Sequence, residues 1–148
     1  MSKNDIQMAE ACTETMRVND DASRLLGITI TETRPDSATA QLTVIKALTN
    51  GHDICHGGFI FTLADSAFAY ASNSTNHATV ASGCTIEFLA PGKIGDTLTA
   101  IAKKRARGQR TGVYDVDVTN QKGDLVAVFR GKSYQIRGQV IPVSGEQS

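Results

Sequence analysis

The segment from residue 57 to about residue 73 restricts the fold more than any other part of this sequence. Its residues, GGFIFTLADSAFAYASN, include no Lys, Arg or Glu, and apolar side chains surround the axis of a helix on almost every side. Such a helix is roughly 25 Å long at 1.5 Å per residue, and it has to be buried on nearly all of its faces. Because one curved sheet cannot wrap it completely, the segment predicts a central helix and a second subunit that covers part of it.

The sequence on both sides of this helix predicts β-strands joined by short turns. Two runs rich in Thr, Ile and Val, separated by Pro35-Asp36, read as a hairpin. Four more strand segments follow the helix, at 78–91, 94–108, 111–120 and 124–138. Helical spacing also predicts one or two short helices before the hairpin, at 5–17 and 21–27. The pattern as a whole indicates an α+β fold, a mostly antiparallel sheet packed on one apolar helix.

The length and composition fit one globular domain without further parts. A chain of 148 residues buries a real core, and no linker-like stretch or internal repeat divides it. We expect an N-terminal helical segment at 1–24, a single domain at 25–140 and a flexible tail at 141–148.

Several classes of function are disfavoured by the composition. The formal net charge is zero, so no strongly basic field predicts a nucleic-acid partner. No uninterrupted run of about eighteen apolar residues predicts a membrane span, and the N-terminus is too polar and acidic for a targeting peptide. The three cysteines are far apart and fit no disulfide framework, and Cys84 reads as a small buried hydrophobic residue in a strand. We therefore expect a soluble protein of a reducing compartment, the cytoplasm.

Metal and cofactor chemistry finds little support in the sequence. The loop residues His52, Cys55 and His56 offer at most three metal ligands, with Asp53 as the one carboxylate nearby. We expect neither a metal ion nor another cofactor.

Asp65 is the only carboxylate between Asp53 and Glu87, and it lies in the middle of the apolar helix. It has two interpretations. In the structural one, it accepts hydrogen bonds from Thr62 or Ser66, or pairs with a distant arginine. In the functional one, it is a nucleophile or general base at a subunit interface, where burial can raise the pKa of a carboxyl group by as much as ~3–5 units.

The turn before the helix favours the functional interpretation. His56-Gly57-Gly58 lies where the first helical N–H groups lack partners within the helix. Glycine lets a substrate oxygen approach the backbone, and the helix dipole favours developing negative charge. This is the chemistry of an oxyanion hole, to which Asn50 and His56 can add donors. Two glycines alone are a weak signal, since they usually only turn the chain.

Helix geometry separates these two groups within one chain. Asp65 follows Gly57 by eight residues, so their backbones lie about 12 Å apart along the helix. A nucleophile and an oxyanion donor have to converge on one carbonyl. Two antiparallel helices related by a two-fold axis would bring Gly57 of one subunit beside Asp65 of the other, which predicts an isologous dimer with two equivalent sites.

At these residues the sequence resembles the hotdog-fold acyl-CoA thioesterases, and within them the phenylacetate-degradation (PaaI-type) branch. The resemblance is carried by NGHDICHGGFIFTLADSAFAYASNS, VASGCTIEFLAPGKIGDTLTA and GVYDVDVTNQKGDLVAVFRGKS, and it covers the chain from about residue 25 to 135. It implies a curved antiparallel sheet of five or six strands around the long helix. It also implies catalytic sites across a dimer interface, with dimers paired into a homotetramer.

The resemblance further implies a hydrolase that acts on aryl- or arylacetyl-CoA, such as hydroxyphenylacetyl-CoA. Asp65 would attack the thioester or activate water, Gly57 would polarise the thioester oxygen, and Asn50 and His56 would assist. The remaining candidates for substrate contacts are Gly58, Ser82, Arg110 and Lys132. Ser82 stands near a position where some relatives place a helpful hydroxyl. Arg110 and Lys132 are candidates for the CoA phosphates, although a run of basic residues is usually a solvated strand face.

Two other functions stay open at this point. A hotdog dehydratase or hydratase would use a similar helix N-terminus together with a His–acid pair. His56 is a candidate for the histidine of that pair. A non-catalytic acyl-CoA-binding module is the alternative outside enzymes, although the chain has no room for the DNA-binding helices that such regulators usually carry.

Overall fold

In a computed structural model, which describes residues 1–142, the chain forms three α-helices and six β-strands. The helices are α1 (Lys3–Arg17), α2 (Asp21–Leu26) and α3 (Gly57–Ser72). The strands are β1 (Thr29–Arg34), β2 (Ser37–Thr43), β3 (Thr79–Phe88), β4 (Thr97–Arg107), β5 (Thr111–Thr119) and β6 (Leu125–Gln135). A single 3-10 turn, Lys46–Leu48, lies between β2 and α3.

The six strands form one antiparallel sheet in the order β1-β2-β4-β5-β6-β3. The sheet packs against α3, and every strand contacts that helix. Along β4 the buried Leu98, Ala100 and Ala102 alternate with more exposed residues, as the strand pattern predicts. The predicted arrangement, an antiparallel sheet of five or six strands packed on one long helix, is confirmed, with six strands.

Close packing between α3 and the sheet depends on small residues at the contact. Leu63, Ala67 and Phe68 are fully buried on the inner side of the helix. The ring of Phe68 lies against β6 at Gly131, where a β-carbon would come within 2.9 Å of three ring atoms. It also meets Tyr114 in an edge-to-face pair with ring centroids 5.5 Å apart. The register between the helix and β6 therefore depends on the missing side chain of Gly131.

One stripe of α3 remains incompletely covered within the single chain. The half-buried residues Thr62, Asp65, Ser66 and Ala69 recur at helical spacing, between the fully buried positions. The sheet thus leaves uncovered the face of the helix that carries its one carboxylate. This matches the expectation that one sheet cannot enclose the whole helix.

The α1 helix packs on β1, at one edge of the sheet. The α1 helix begins with a capping box formed by Ser2 and Asp5. The α2 helix is capped by Asp20, whose carboxylate accepts hydrogen bonds from Ser23 and from the hydroxyl of Tyr70 on α3. The predicted division at residue 24 falls inside α2, and residues 143–148 of the predicted tail lie outside the described part of the chain. The domain boundaries stay a prediction.

Candidate active site

The first turn of α3 has one unoccupied backbone donor. The side chain of His56 caps the helix, and its Nδ1 accepts a hydrogen bond from the N–H of Gly58 at 2.9 Å. The N–H of Phe59 donates to the carbonyl of His56 at 3.0 Å. Within residues 1–142, the N–H of Gly57 donates to no protein acceptor. Gly57 is therefore the helix-terminal donor that is free to bind an anionic oxygen.

The structure assigns His56 and Gly58 to the N-terminal cap of α3, a role that the sequence analysis did not predict. Because Nδ1 of His56 accepts from Gly58, a neutral His56 carries its proton on Nε2. The imidazole itself is exposed, so Nε2 is available to a ligand. The N–H of Gly58, a predicted substrate contact, is already satisfied and would bind substrate only after His56 released it.

The loop before α3 holds Asn50 beside this donor. The backbone of Asn50 pairs with Ile54 across the loop at 2.9 Å, and its side-chain oxygen accepts from the N–H of His52 at 2.9 Å. The loop is fixed to the sheet by a hydrogen bond from the N–H of Cys55 to the carbonyl of Gly92 at 2.7 Å. The Nδ2 group of Asn50 donates to no other residue that the structure describes. It remains available as a second donor.

Asn50 and Gly57 line the same cleft, whose volume is about 500 Å³. This volume lies within the range of small-molecule sites in proteins. The remaining wall is mostly apolar and is formed by Ile54, Cys55, Ile60, Phe88, Leu89, Ala90, Pro91 and Gly92. Phe88 and Leu89 keep 52% and 58% of their surface exposed. The cleft thus combines two free N–H donors with an apolar wall.

The ring of Phe88 packs against Gly57, the residue that carries the free donor, a contact that the sequence did not predict. A β-carbon on Gly57 would lie 2.9 Å from the tip of the Phe88 ring. Strand alternation contained the signal, because Cys84, Ile86 and Phe88 lie on one face of β3. Which helical residue each of them meets depends on the packing of β3 on α3, which no local pattern fixes.

Asp65 lies half-buried on the uncovered stripe of α3 without the partners of the structural interpretation. Thr62 donates its hydroxyl to the carbonyl of Gly58 at 2.9 Å, and Ser66 donates to the carbonyl of Thr62 at 2.7 Å. No Lys or Arg of the described chain forms an ion pair with Asp65. Burial raises the pKa of its carboxyl group above the ordinary value for aspartate. The carboxylate is therefore incompletely solvated and uncompensated.

Within residues 1–142, the side chain that can hydrogen-bond to this carboxylate is that of Cys84 on β3. Its Sγ lies 4.0 Å from Oδ1 of Asp65. The prediction of Cys84 as a buried hydrophobic residue is wrong in this respect, because the thiol is half-buried and faces a polar group.

Gly57 and Asp65 do not meet within one chain. They lie at opposite ends of a two-turn stretch of α3, about 12 Å apart along the axis, and Asp65 does not line the cleft at Gly57. The structure thus agrees with the separation inferred from the sequence.

The other three predicted contacts lie away from the cleft. Ser82 occupies a bulge in β3 and donates its hydroxyl to the carbonyl of Lys132 at 3.2 Å. Lys132 is exposed on β6. Arg110 lies in the turn between β4 and β5 and lines a small depression with Ser72, the last residue of α3. In one chain, Arg110 is therefore at the far end of the helix from Gly57.

Folding divides the basic residues into paired and unpaired groups. Lys104 forms an ion pair with Asp36 at 2.9 Å, and Arg130 forms one with Asp115 at 2.7 Å. Arg110 and Lys132 form no ion pair within the described residues. Arg110 and Lys132 therefore have charges free for a ligand, but Lys103 and Arg105 are equally without an ion pair there, so pairing alone does not single out the two candidates.

Residues 1–142 contain neither a cluster of metal-binding side chains nor a membrane-spanning helix. No group of three or more His, Cys, Asp or Glu side chains there is arranged to hold a metal ion. None of the helices in that range is both long enough and apolar enough to span a bilayer.

Comparison with known proteins links this arrangement to one family. The model of the Thioesterase superfamily matches residues 52–127, which include α3. The chain is 51% identical to the acyl-coenzyme A thioesterase PaaI of Escherichia coli K12 over 125 residues, which are 84% of this chain and 89% of that protein.

Solved structures give the same result. The structure of the E. coli PaaI protein from the phenylacetic acid degradation operon aligns with a TM-score of 0.89 at 48% identity, over 90% of this chain and 97% of that one. A Streptococcus mutans UA159 protein bound to acetyl CoA aligns with a TM-score of 0.72 at 30% identity, over 76% of this chain and 90% of that one.

Proposed function

The chain belongs to the thioesterase superfamily, and we propose that it hydrolyses acyl-CoA thioesters to a free acid and CoA. The observation that carries this proposal is the free N–H of Gly57 at the start of α3, which opens into a cleft with apolar walls. A thioester needs a donor of this kind for its carbonyl oxygen and an apolar surface for its acyl group.

Asp65 supplies the second half of the chemistry. As a nucleophile, its carboxylate attacks the thioester carbon, the C–S bond breaks, CoA leaves as a thiolate that takes up a proton, and water then hydrolyses the mixed anhydride. As a general base, it takes a proton from the water that attacks the carbon. Both routes consume one water and release one acid and one CoA. The raised pKa of Asp65 makes its carboxylate more basic, which favours either role.

We propose that the complete site is shared between two subunits. The uncovered stripe of α3 carries Asp65, and β3 is an edge strand whose Val80 and Phe88 are exposed. An exposed apolar edge strand is a typical surface for association. Two antiparallel α3 helices would place Gly57 of one subunit beside Asp65 of the other. We further propose, from the resemblance, that two such dimers form a homotetramer.

The same antiparallel alignment gives Arg110 a place in the site. Aligning Gly57 with Asp65 also brings Ser72, and with it Arg110, to the Asn50 end of the opposite helix. Arg110 and Lys132 are unpaired and exposed, so the opposite subunit can offer them to the CoA phosphates. In this proposal, donors and cations at one site come from different chains.

For the acyl group, we propose an aryl or arylacetyl substrate such as hydroxyphenylacetyl-CoA. The exposed ring of Phe88 offers an aromatic surface beside the Gly57 donor. The relative from the phenylacetic acid degradation operon points to the same class. We place the activity in the cytoplasm, since the cysteines are free thiols, which suits a reducing compartment.

The test is release of CoA from a panel of aromatic and aliphatic acyl-CoAs, followed with a thiol reagent. Asp65→Asn keeps the shape of the side chain and should lower turnover at least ~100-fold, since it removes both the nucleophile and the base. Asp117→Asn is the matched control, because Asp117 is exposed on β5 and outside the proposed site. Full activity of Asp65→Asn would refute the carboxylate mechanism.

Two outcomes would favour the other functions. Hydration of an enoyl-CoA, seen as loss of ultraviolet absorbance without CoA release, would indicate a hydratase in which His56 takes part. Tight binding of acyl-CoA with no CoA release over hours would indicate a binding module. Light scattering of the purified protein distinguishes monomer, dimer and tetramer independently of activity.

A further inference from the structure

Cys84 and Asp65 form a contact that the proposed reaction does not yet explain. The Sγ of Cys84 on β3 lies 4.0 Å from Oδ1 of Asp65 on α3. The two residues are 19 positions apart in the sequence, so only the packing of the edge strand on the helix brings them together. Both side chains are half-buried.

The two hydroxyl groups nearest to Asp65 in the sequence do not donate to its carboxylate. Thr62 and Ser66 both donate to carbonyl groups of α3 instead. A strong donor would be expected beside a half-buried carboxylate if the site had only to stabilise its charge. The described chain places a thiol there, which is a weak donor and a bulky, polarisable group.

Among residues 1–142, no titratable side chain other than Cys84 forms a hydrogen bond or ion pair with Asp65. On the elements that pack against α3, two more titratable side chains are buried, Tyr114 and Cys12. Tyr114 donates to Asp36, and Cys12 to Asn76.

None of the charged or other titratable side chains on those elements forms an ion pair with Asp65. Arg34 and Asp115 are half-buried and pair with Glu32 and Arg130. The others are exposed: Lys3, Asp5, Glu10, Glu14, Arg17, Glu32, Glu87, Lys103, Lys104, Arg105, Arg107, Asp117, Arg130, Lys132 and Tyr134. On α3 itself Tyr70 donates to Asp20. In the proposed dimer, His56 of the opposite subunit is the further titratable group that approaches.

We propose that Cys84 is a positioning residue for Asp65: its thiol fills the space beside the carboxylate, excludes water and strong donors from that side, and leaves the carboxylate free to act on the thioester. This inference rests on the proposed function. Burial, and then the charge of Asp65, raise the pKa of the Cys84 thiol. The thiol therefore stays neutral beside the carboxylate and does not repel it.

Two substitutions test whether the thiol keeps strong hydrogen-bond donors away from the carboxylate. Cys84→Ser introduces a hydroxyl that donates to the carboxylate directly or through one water, and hydrogen bonding to the charged form lowers a carboxyl pKa. Cys84→Val keeps an apolar group beside the carboxylate and removes the weak donor. The pKa of Asp65 should fall by about one unit in the serine variant and stay level or rise in the valine variant.

The measurement is the titration of the Asp65 carboxyl carbon by NMR on protein labelled with ¹³C at aspartate carboxyls. The signal is assigned by its loss in Asp65→Asn. In parallel, we measure kcat/KM as a function of pH. The pH at which activity is lost on acidification should shift by the same amount as the pKa of Asp65. The plateau rate of Cys84→Ser should fall roughly threefold, because a less basic carboxylate is a weaker nucleophile or base.

Cys12→Ser is the matched control, since it makes the same chemical change at a buried thiol that contacts Asn76 instead. It should leave the Asp65 titration unchanged. Urea unfolding shows that each variant is folded. If Cys84→Val is unfolded, the serine variant alone decides.

Two results would overturn the inference. One is a pKa of Asp65 in Cys84→Ser that stays within about 0.2 units of its value in the parent protein. The other is a shift of the same sign and size in both Cys84 variants. Because the titration needs no turnover, absence of CoA release from the parent protein would refute the proposed function and leave the Cys84 test intact.

Discussion

The contact between Gly57 and Phe88 gives a sharp test of where the thioester oxygen binds. In Gly57→Ala, the new methyl group would stand 2.9 Å from one atom of the Phe88 ring and 3.3 and 3.4 Å from two others. Carbon atoms pack at about 3.5–4.0 Å, so the ring has to retreat by about 0.6 Å or more. The substitution keeps the backbone N–H and changes only the space beside it.

Gly57→Ala should change the free energy of unfolding only slightly. The affected atoms are the far end of a ring that is 52% exposed, so the ring can move away at a cost of about 1 kcal/mol. Alanine is favoured over glycine within a helix by up to about 1 kcal/mol, which offsets that cost. We expect the free energy of unfolding of Gly57→Ala to stay within about 1 kcal/mol of the parent value.

Catalysis should respond much more strongly. A methyl group beside the donor displaces the thioester oxygen by roughly 1 Å, and misplacement on this scale can lower a rate about 100-fold. Truncating the obstructing ring, in Gly57→Ala/Phe88→Ala, removes the clash with the new methyl group, so that the start of α3 can keep its position beside the thioester. We expect at least tenfold recovery relative to the value predicted from the two single variants, which corresponds to a coupling energy of about 1.4 kcal/mol.

The assay is kcat/KM for CoA release by the parent protein, the two single variants and the double variant, with urea unfolding of each. Gly51→Ala is the control, because a β-carbon there meets no atom within 4 Å. If Gly57→Ala keeps activity within twofold, the Gly57 N–H does not bind the reacting oxygen. If the single variant is inactive and no coupling appears, the Phe88 ring is not what the methyl group displaces.

Three further predictions concern the core, the N-terminal helices and pH. Gly131→Ala forces a methyl group against the buried ring of Phe68 and should lower the free energy of unfolding, measured in urea, by about 1–3 kcal/mol. An unchanged midpoint of urea unfolding would show that α3 can shift away from β6 without cost. Asp20→Ala removes the cap of α2 and the acceptor for Tyr70, and should cost about 1–2 kcal/mol, whereas Asp20→Asn should cost less. Burial opposes ionisation of Asp20, but its hydrogen bonds outweigh this and lower its pKa, so its contribution to stability is present above the ordinary aspartate pKa and lost as pH falls through the lowered folded value. Burial raises the pKa of Asp65, so activity should be lost on acidification at a higher pH than an ordinary aspartate would give, and a pH–rate profile with an acid limb in the ordinary aspartate range would contradict this.

The fold was largely predictable because its signals are local. The apolar run alone located α3 at residues 57 to about 73, and the helix extends over Gly57–Ser72. Strand alternation located all six strands to within a few residues. The turn residue Asp36 marked the first hairpin, and its positive φ of 61° agrees with a turn position.

The site was predictable only in part, because some of its contacts depend on long-range packing. The pattern HGG before a helix identified Gly57 as a donor, but not that His56 occupies the neighbouring donor of Gly58. The positions of Phe88 over Gly57 and of Cys84 beside Asp65 both follow from how β3 lies along α3. That arrangement joins residues far apart in the chain, so no short motif contains it.

In the proposed assembly, the stripe of α3 that carries Asp65 is also the surface that the second subunit covers. Burial of Asp65, its pKa and dimer formation are therefore connected. The sheet covers α3 except for the stripe that carries this carboxylate, and the exposed apolar residues of the edge strand β3 provide the surface on which a partner would pack. A partner that covers the stripe removes water from Asp65 and raises its pKa further, and it also delivers the Gly57 donor of the second chain. Association is then thermodynamically linked to protonation of Asp65. Since the covered carboxylate takes up a proton more readily than the exposed one, lowering the pH towards its pKa should strengthen the dimer while it weakens catalysis.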